Sequence, residues 1–149
     1  MAVMGAGAIG RTHVERARTH SDVEVVAIAD PSLGAKAFAD SHGLQRFDEP
    51  EALLDAVKPD GVIVATPNVT HVTIGLACVA RGIPALIEKP VADKVEDAIR
   101  LASAAQEAGV PLLVGHQRRY SPILQRAREI VKSGRLGRIV AAHGLAAFF

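Results

Sequence analysis

The sequence has no tryptophan, one tyrosine, one cysteine and four phenylalanines in 149 residues. With aromatics at 3%, any core must be built from aliphatic side chains, a composition that suits helices packed on a parallel sheet. The lone cysteine, Cys78, excludes an internal disulfide and fits a reducing, cytoplasmic compartment. Its apolar neighbours read as a buried thiol in a helix, and no second cysteine exists to resolve an oxidised one. Neither sign of charge dominates: 17 basic residues face 16 acidic ones, no basic stripe stands out, and nothing argues for a nucleic-acid partner. No apolar run approaches the roughly 18 residues of a membrane-spanning helix, and the N-terminus lacks the basic-then-apolar layout of a signal peptide. There are no internal repeats and no low-complexity linkers, and no metal site is expected. What remains is a chain that is 49% hydrophobic, too apolar for disorder and long enough for one domain with a real core.

The stretch that organises it is Gly5-Ala6-Gly7-Ala8-Ile9-Gly10. It follows a short apolar run, Ala2-Val3-Met4, and opens a segment that reads as helix. The glycines fit the dinucleotide-binding pattern G-x-G-x-x-G. Gly5 would turn the chain out of a strand, Gly7 would let backbone approach a pyrophosphate, and Gly10 would let helix and strand pack closely. The positive end of the helix, at Ala8 and Ile9, would face the phosphates. A second apolar run, residues 23–29, ends in Asp30, about twenty residues past the glycines, where the pattern places the acid that binds the ribose hydroxyls. A carboxylate there favours NAD, because it would repel the 2′-phosphate of NADP, and Ser32 is a weak substitute for the arginine an NADP site wants.

Further along, strand and helix alternate. Helices are expected at residues 11–19, 34–42, from Glu49-Pro50-Glu51 to the stop at Pro59-Asp60, at 69–81, from Asp93 to Ala108, and at 122–132. Strands are expected at residues 45–47, 61–65, 84–87 and 110–114. Asn68 reads as the N-cap of the fourth helix, and Asp93 with Glu96 has capping-box spacing for the fifth. Gly43 and Gly109 sit where helices would stop. The pattern predicts an α/β fold: a doubly wound parallel sheet of Rossmann type, with helices on both faces in three αβα layers. The domain edge is placed near residues 118–122, giving a dinucleotide-binding domain over residues 1–119. Residues 120–149 read as a linker helix, a turn at Gly134 and Gly137, and a strand from Ile139 whose Phe148 and Phe149 would bury against a partner.

In such a sheet, ligands bind at the carboxyl ends of the strands. Polar groups gather there: Asp30, then Ala65-Thr66-Pro67-Asn68, then Glu88-Lys89-Pro90, then Gly115-His116. Lys89, at the end of a buried strand, is placed to polarise a substrate hydroxyl, or else forms a surface pair with Glu88. Asn68 and His71 are either site residues or parts of a helix start, and His13 reads as a packing or solvent-facing residue.

Taken together, residues 5–10, Ala65-Thr66-Pro67-Asn68 with His71, Glu88-Lys89-Pro90, and Gly115-His116-Gln-Arg-Arg-Tyr120 resemble the glucose–fructose oxidoreductase / inositol dehydrogenase family (Gfo/Idh/MocA). The resemblance implies an NAD(P)-dependent dehydrogenase acting on the CH–OH group of a sugar, cyclitol or related polyol, as a homo-oligomer when full length. By that likeness Lys89 is the catalytic or substrate-positioning lysine, with His116 and Arg119 near the substrate mouth. Thr66, Pro67, Asn68 and His71 would line the nicotinamide side, and Glu88 would touch the ribose. The family's second α/β domain carries an Asp-x-x-x-His pair whose histidine exchanges the substrate proton. The sequence stops short of any such pair, so the chain is expected to be the cofactor-binding part, inactive alone. Other outcomes of the same likeness are an NAD-dependent glycosidase and a non-catalytic NAD-binding sensor.

Overall fold

A computed structural model of the chain describes residues 1–145, and the rings of Phe148 and Phe149 lie outside them. The chain divides into two compact units, Met1–Gly115 and His116–Phe149.

The first unit alternates strictly. Its strands are β1 (Ala2–Met4), β2 (Ala27–Ala29), β3 (Gln45–Phe47), β4 (Val62–Val64), β5 (Ala85–Ile87) and β6 (Leu112–Val114). Between them run α1 (Ala8–Ala17), α2 (Leu33–His42), α3 (Pro50–Val57), α4 (Asn68–Ala80) and α5 (Val95–Ala108). All strand pairs are parallel, in the order β3-β2-β1-β4-β5-β6. This is the doubly wound arrangement, whose strand order reverses at β1/β4 and opens a crevice there.

Both faces of the sheet are covered, which is why β1, β2 and β4 consist of buried apolar residues without alternation. On one face Met4, Val64 and Ile87 pack with Leu53, Leu54, Val72 and Leu101 from α3, α4 and α5. On the other, Val3, Ile28 and Ile63 pack with Val14 and Phe38 from α1 and α2. Helix stops follow the glycines: Gly43 and Gly109 adopt left-handed conformations, φ 65° and 66°, as the C-caps of α2 and α5.

Local chemistry corrects several expectations. The second strand is only Ala27–Ala29: Val26 still donates to Met1 O at 3.1 Å and accepts from Gln45 N–H at 3.0 Å, but Val23 N–H turns back to His20 O at 3.3 Å. Pro67, fixed in an extended conformation, is the N-cap of α4, and Asn68 is its first residue, with no side-chain capping bond. Lys94 caps α5, also without a side-chain bond, so Asp93 lies one residue outside the expected capping box.

Cys78 is fully buried on α4. Burial pushes its thiol up to about 11, against a smaller downward pull from Arg81. Since the thiolate is the reactive species, Ellman's reagent at pH 8 is expected to label the folded chain roughly a hundredfold more slowly than the chain in urea. The folded rate should climb with pH toward that value, and equal rates in the two states would contradict this burial.

The second unit begins with a 3-10 turn, Gln117–Tyr120, followed by α6 (Pro122–Lys132), started by a proline in its first turn. A turn then closes with Gly137 N–H donating to Gly134 O at 2.9 Å. Residues 139–145 form no strand; every one is exposed, and a strand exists only where it has a ladder partner.

Candidate dinucleotide-binding site

Strand register puts the site in one row. Met4 pairs with Ala29 and Val64, Ala29 with Phe47, Val64 with Ile87, and Ile87 with Val114. The next residue of each strand is therefore level with the others: Asp48, Asp30, Gly5, Ala65, Glu88 and Gly115. All but Asp48 donate their backbone N–H to the carbonyl that ends a neighbouring strand, at 2.8–2.9 Å.

The glycine turn is built as its spacing suggests. Gly5 has φ 91°, and a Cβ there would sit 2.6 Å from Ala65 O. A Cβ on Gly10 would lie 1.9 Å from Gly5 O, so α1 rests directly on the turn. Gly7 is different: its φ is an ordinary −70°, and a Cβ would meet nothing within 4 Å. Nothing inside the protein calls for glycine at position 7; the space it leaves opens into the groove. No side chain caps α1 and no acidic residue lies in its first turn, so the unpaired N–H groups at Ala8 and Ile9 are left for an anion.

The turn is held rigidly. Ala6 N–H donates to Asp30 Oδ2 at 2.7 Å, and Arg11 Nε donates to Ala6 O at 2.8 Å. Ser32 N–H donates to the other carboxylate oxygen of Asp30 at 2.8 Å. A carboxylate has about four acceptor positions, so roughly two remain for ribose hydroxyls. Burial works to raise the Asp30 pKa, but hydrogen bonds from Ser32 and Ala6 and the charge of Arg46 outweigh it and hold the group below the usual carboxylate value. It is ionised at neutral pH.

A groove of about 580 Å³ runs over the Asp48, Asp30, Gly5 and Ala65 part of this row and leaves out Glu88 and Gly115; it is lined by Gly5, Gly7, Ala8, Ile9, Asp30, Ala65, Thr66 and Pro67 among others. Those eight were singled out in the sequence; Pro31, Asp48, Glu49, Thr70 and Ile74 share the lining and were not. The structure separates the remaining candidates. Gly10 lies beneath the turn. Asn68 is exposed at the start of α4. His71, expected along the cofactor, is instead 1% exposed behind the wall, its Nδ1 2.8 Å from Pro90 O and its Nε2 2.8 Å from Thr66 O. It thus ties the turn after β4 to the turn after β5. His116 and Arg119 belong to the second unit, at the cap of the 3-10 turn and within it, both exposed.

Glu88 does not pair with the Lys89 ammonium. Its Oε1 lies 2.9 Å from His13 Nε2, and its Oε2 accepts from Lys89's backbone N–H at 3.2 Å. Gly115 makes room for it, since a Cβ there would stand 2.9 Å from Oε1. His13 is therefore a partner of Glu88, neither simple packing nor solvent-facing. Lys89 is exposed, and its ammonium has no ion pair among the described residues. A second groove of similar size, between α5 and β6, is lined by aliphatic side chains and one glutamine, and offers no group for acid–base chemistry.

Strand order, glycine turn and the acid after β2 define a dinucleotide-binding domain of the Rossmann class. Residues 1–116 match the family model GFO_IDH_MocA, "Oxidoreductase family, NAD-binding Rossmann fold", and the chain belongs to that family. Among curated relatives, the rhizopine catabolism protein MocA of Rhizobium meliloti is 34% identical over 93% of this chain and 44% of its own length. Inositol 2-dehydrogenase 2 of Saccharopolyspora erythraea is 35% identical over 96% of this chain and 43% of its own length. The WlbA dehydrogenase of Bordetella pertussis, solved with NADH and UDP-GlcNAcA, superposes with a TM-score of 0.86 at 31% identity, over 92% of this chain and 42% of that one. The chain thus spans less than half the length of these relatives.

Proposed function

We propose that this chain is the cofactor-binding part of an NAD-dependent dehydrogenase that oxidises a CH–OH group of a sugar, cyclitol or related polyol. One observation carries the reading: Gly7, which no internal contact requires, faces an open groove between the N-terminus of α1 and the Asp30 carboxylate. Backbone N–H groups at Ala8 and Ile9 would hold the pyrophosphate, Asp30 the ribose hydroxyls, and Ala65, Thr66 and Pro67 the wall toward the nicotinamide. NAD, when bound, supplies the hydride acceptor.

Lys89 follows the row at β5, outside the groove lining, with an unpaired ammonium among the described residues. It would donate a hydrogen bond to the substrate hydroxyl and stabilise that oxygen as its proton departs. His116 and Arg119 are assigned to the substrate side on the likeness of their motif alone, as is the placing of residues 120–149 at the start of a substrate domain. The names of the relatives, an inositol dehydrogenase and a protein of rhizopine catabolism, support a polyol-like substrate. The whole enzyme is read as a cytoplasmic homo-oligomer, the compartment resting on the buried, unpaired Cys78.

Titration of NADH fluorescence tests the cofactor assignment. The wild-type chain is expected to bind, and Asp30→Ala to bind at least about tenfold more weakly, since it loses charge-assisted bonds to the ribose. Failure of the wild type to bind would overturn the reading.

A further inference from the structure

The end of the groove near Asp30 is acidic: Asp30, Asp48 and Glu49 all line it. A cation stands beside them. Arg46, on β3 opposite Ile28 of β2, donates from Nε to the backbone oxygen of Asp30 at 3.0 Å and from Nη2 to Asp48 Oδ1. Its side chain is 22% exposed, and that of Asp48 66%. An arginine fork beside the ribose-binding acid is the group a 2′-phosphate would seek, because the guanidinium matches phosphate in shape and charge. Here two of its nitrogens are already engaged. Nε is taken by a carbonyl, and Nη2 is turned to a carboxylate of opposite charge.

We propose that Asp48 is a positioning residue for cofactor choice: it holds Arg46 away from the ribose 2′ position, so that the chain rejects NADP even though it carries an arginine next to the site. The proposal rests on the dinucleotide reading of the groove. Asp30 discriminates by repulsion; Asp48 does so by withholding an attraction. Because Asp48 is exposed and, among the described residues, hydrogen-bonds only to Arg46, its removal should leave the core intact.

The test is fluorescence titration of the 149-residue chain with NADH and NADPH at one fixed ionic strength. Asp48→Ala is expected to raise the ratio of NADPH to NADH affinity about tenfold, the worth of one charge-assisted contact, with NADH titrated alongside because Asp48 itself lines the groove. The gain should vanish in Asp48→Ala/Arg46→Met and be smaller in Asp48→Ala/Arg46→Lys, which keeps charge but not the fork. NADH binding by each variant reports that the site is folded. An unchanged NADPH affinity in an Asp48→Ala chain that still binds NADH would overturn the proposal alone. So would a gain that survives the loss of Arg46, which would mean simple charge removal. A wild-type chain that binds neither nucleotide would remove the dinucleotide reading and this proposal with it.

Discussion

Gly7→Ala is expected to leave the chain folded and to cut NADH affinity about a hundredfold, whereas Gly10→Ala, three residues on, is expected to cost most of its stability. At position 7 the new methyl meets no atom within 4 Å, and the backbone there suits any L-residue. Against that, alanine is a poorer N-cap than glycine, so the net change should stay within about 1 kcal/mol. The same methyl would project into the groove where backbone must approach a pyrophosphate, and overpacking there is worth about 1–3 kcal/mol of binding. At position 10 the methyl would stand 1.9 Å from Gly5 O, a backbone atom of a turn that is itself wedged against Ala65. Neither side can yield without moving α1 off β1, so the cost is about 3 kcal/mol or more, out of a total of about 5–15 for a domain. Urea unfolding should show a midpoint lowered by about 1.5 M for Gly10→Ala, taking a slope near 2 kcal/mol/M. Wild-type NADH affinity in Gly7→Ala would refute the pyrophosphate assignment, and an unmoved midpoint in Gly10→Ala would refute the packing.

These two glycines also mark how far the sequence could be read. Alternating apolar runs and glycine stops gave the order of elements because local rules govern them: buried strands need continuous apolar residues, and left-handed caps need glycine. The row of polar residues after the strands was legible for the same reason, since a parallel sheet places every strand's carboxyl end on one edge. What escaped were pairings between distant elements. Nothing local to His13 indicates that it meets Glu88, 75 positions on, nor that Arg46 braces the carbonyl of Asp30. Asn68 has a capping side chain, yet Pro67, already extended, takes the cap one residue earlier. Residues 139–145 have the composition of a strand but, among the described residues, no partner to make one. An Arg46–Asp48 spacing of two across the end of a short strand does carry a faint signal, because alternation puts both side chains on one face.

His71→Leu should lower stability by about 1–3 kcal/mol although it replaces a buried ring with an apolar side chain of similar reach. Each ring nitrogen of His71 lies 2.8 Å from a carbonyl oxygen, that of Thr66 on one side and that of Pro90 on the other. A neutral imidazole donates to one of them and an imidazolium to both. Leucine donates to neither, and losing a hydrogen bond to a part-buried carbonyl oxygen costs about 1–3 kcal/mol. His71→Ala should be worse still, because it adds a cavity among Val72 and its buried neighbours worth about a further 1–2 kcal/mol. The order of urea midpoints, wild type above Leu above Ala, checks the assignment. It also separates two roles. A ring that only contacted the cofactor would leave the midpoint of His71→Leu unchanged and alter NADH binding alone. A ring that straps two turns together must lower the midpoint first, and NADH affinity falls as a consequence, because Thr66 and Pro67 form one wall of the groove and lose the bond that holds them toward Lys89 and Pro90.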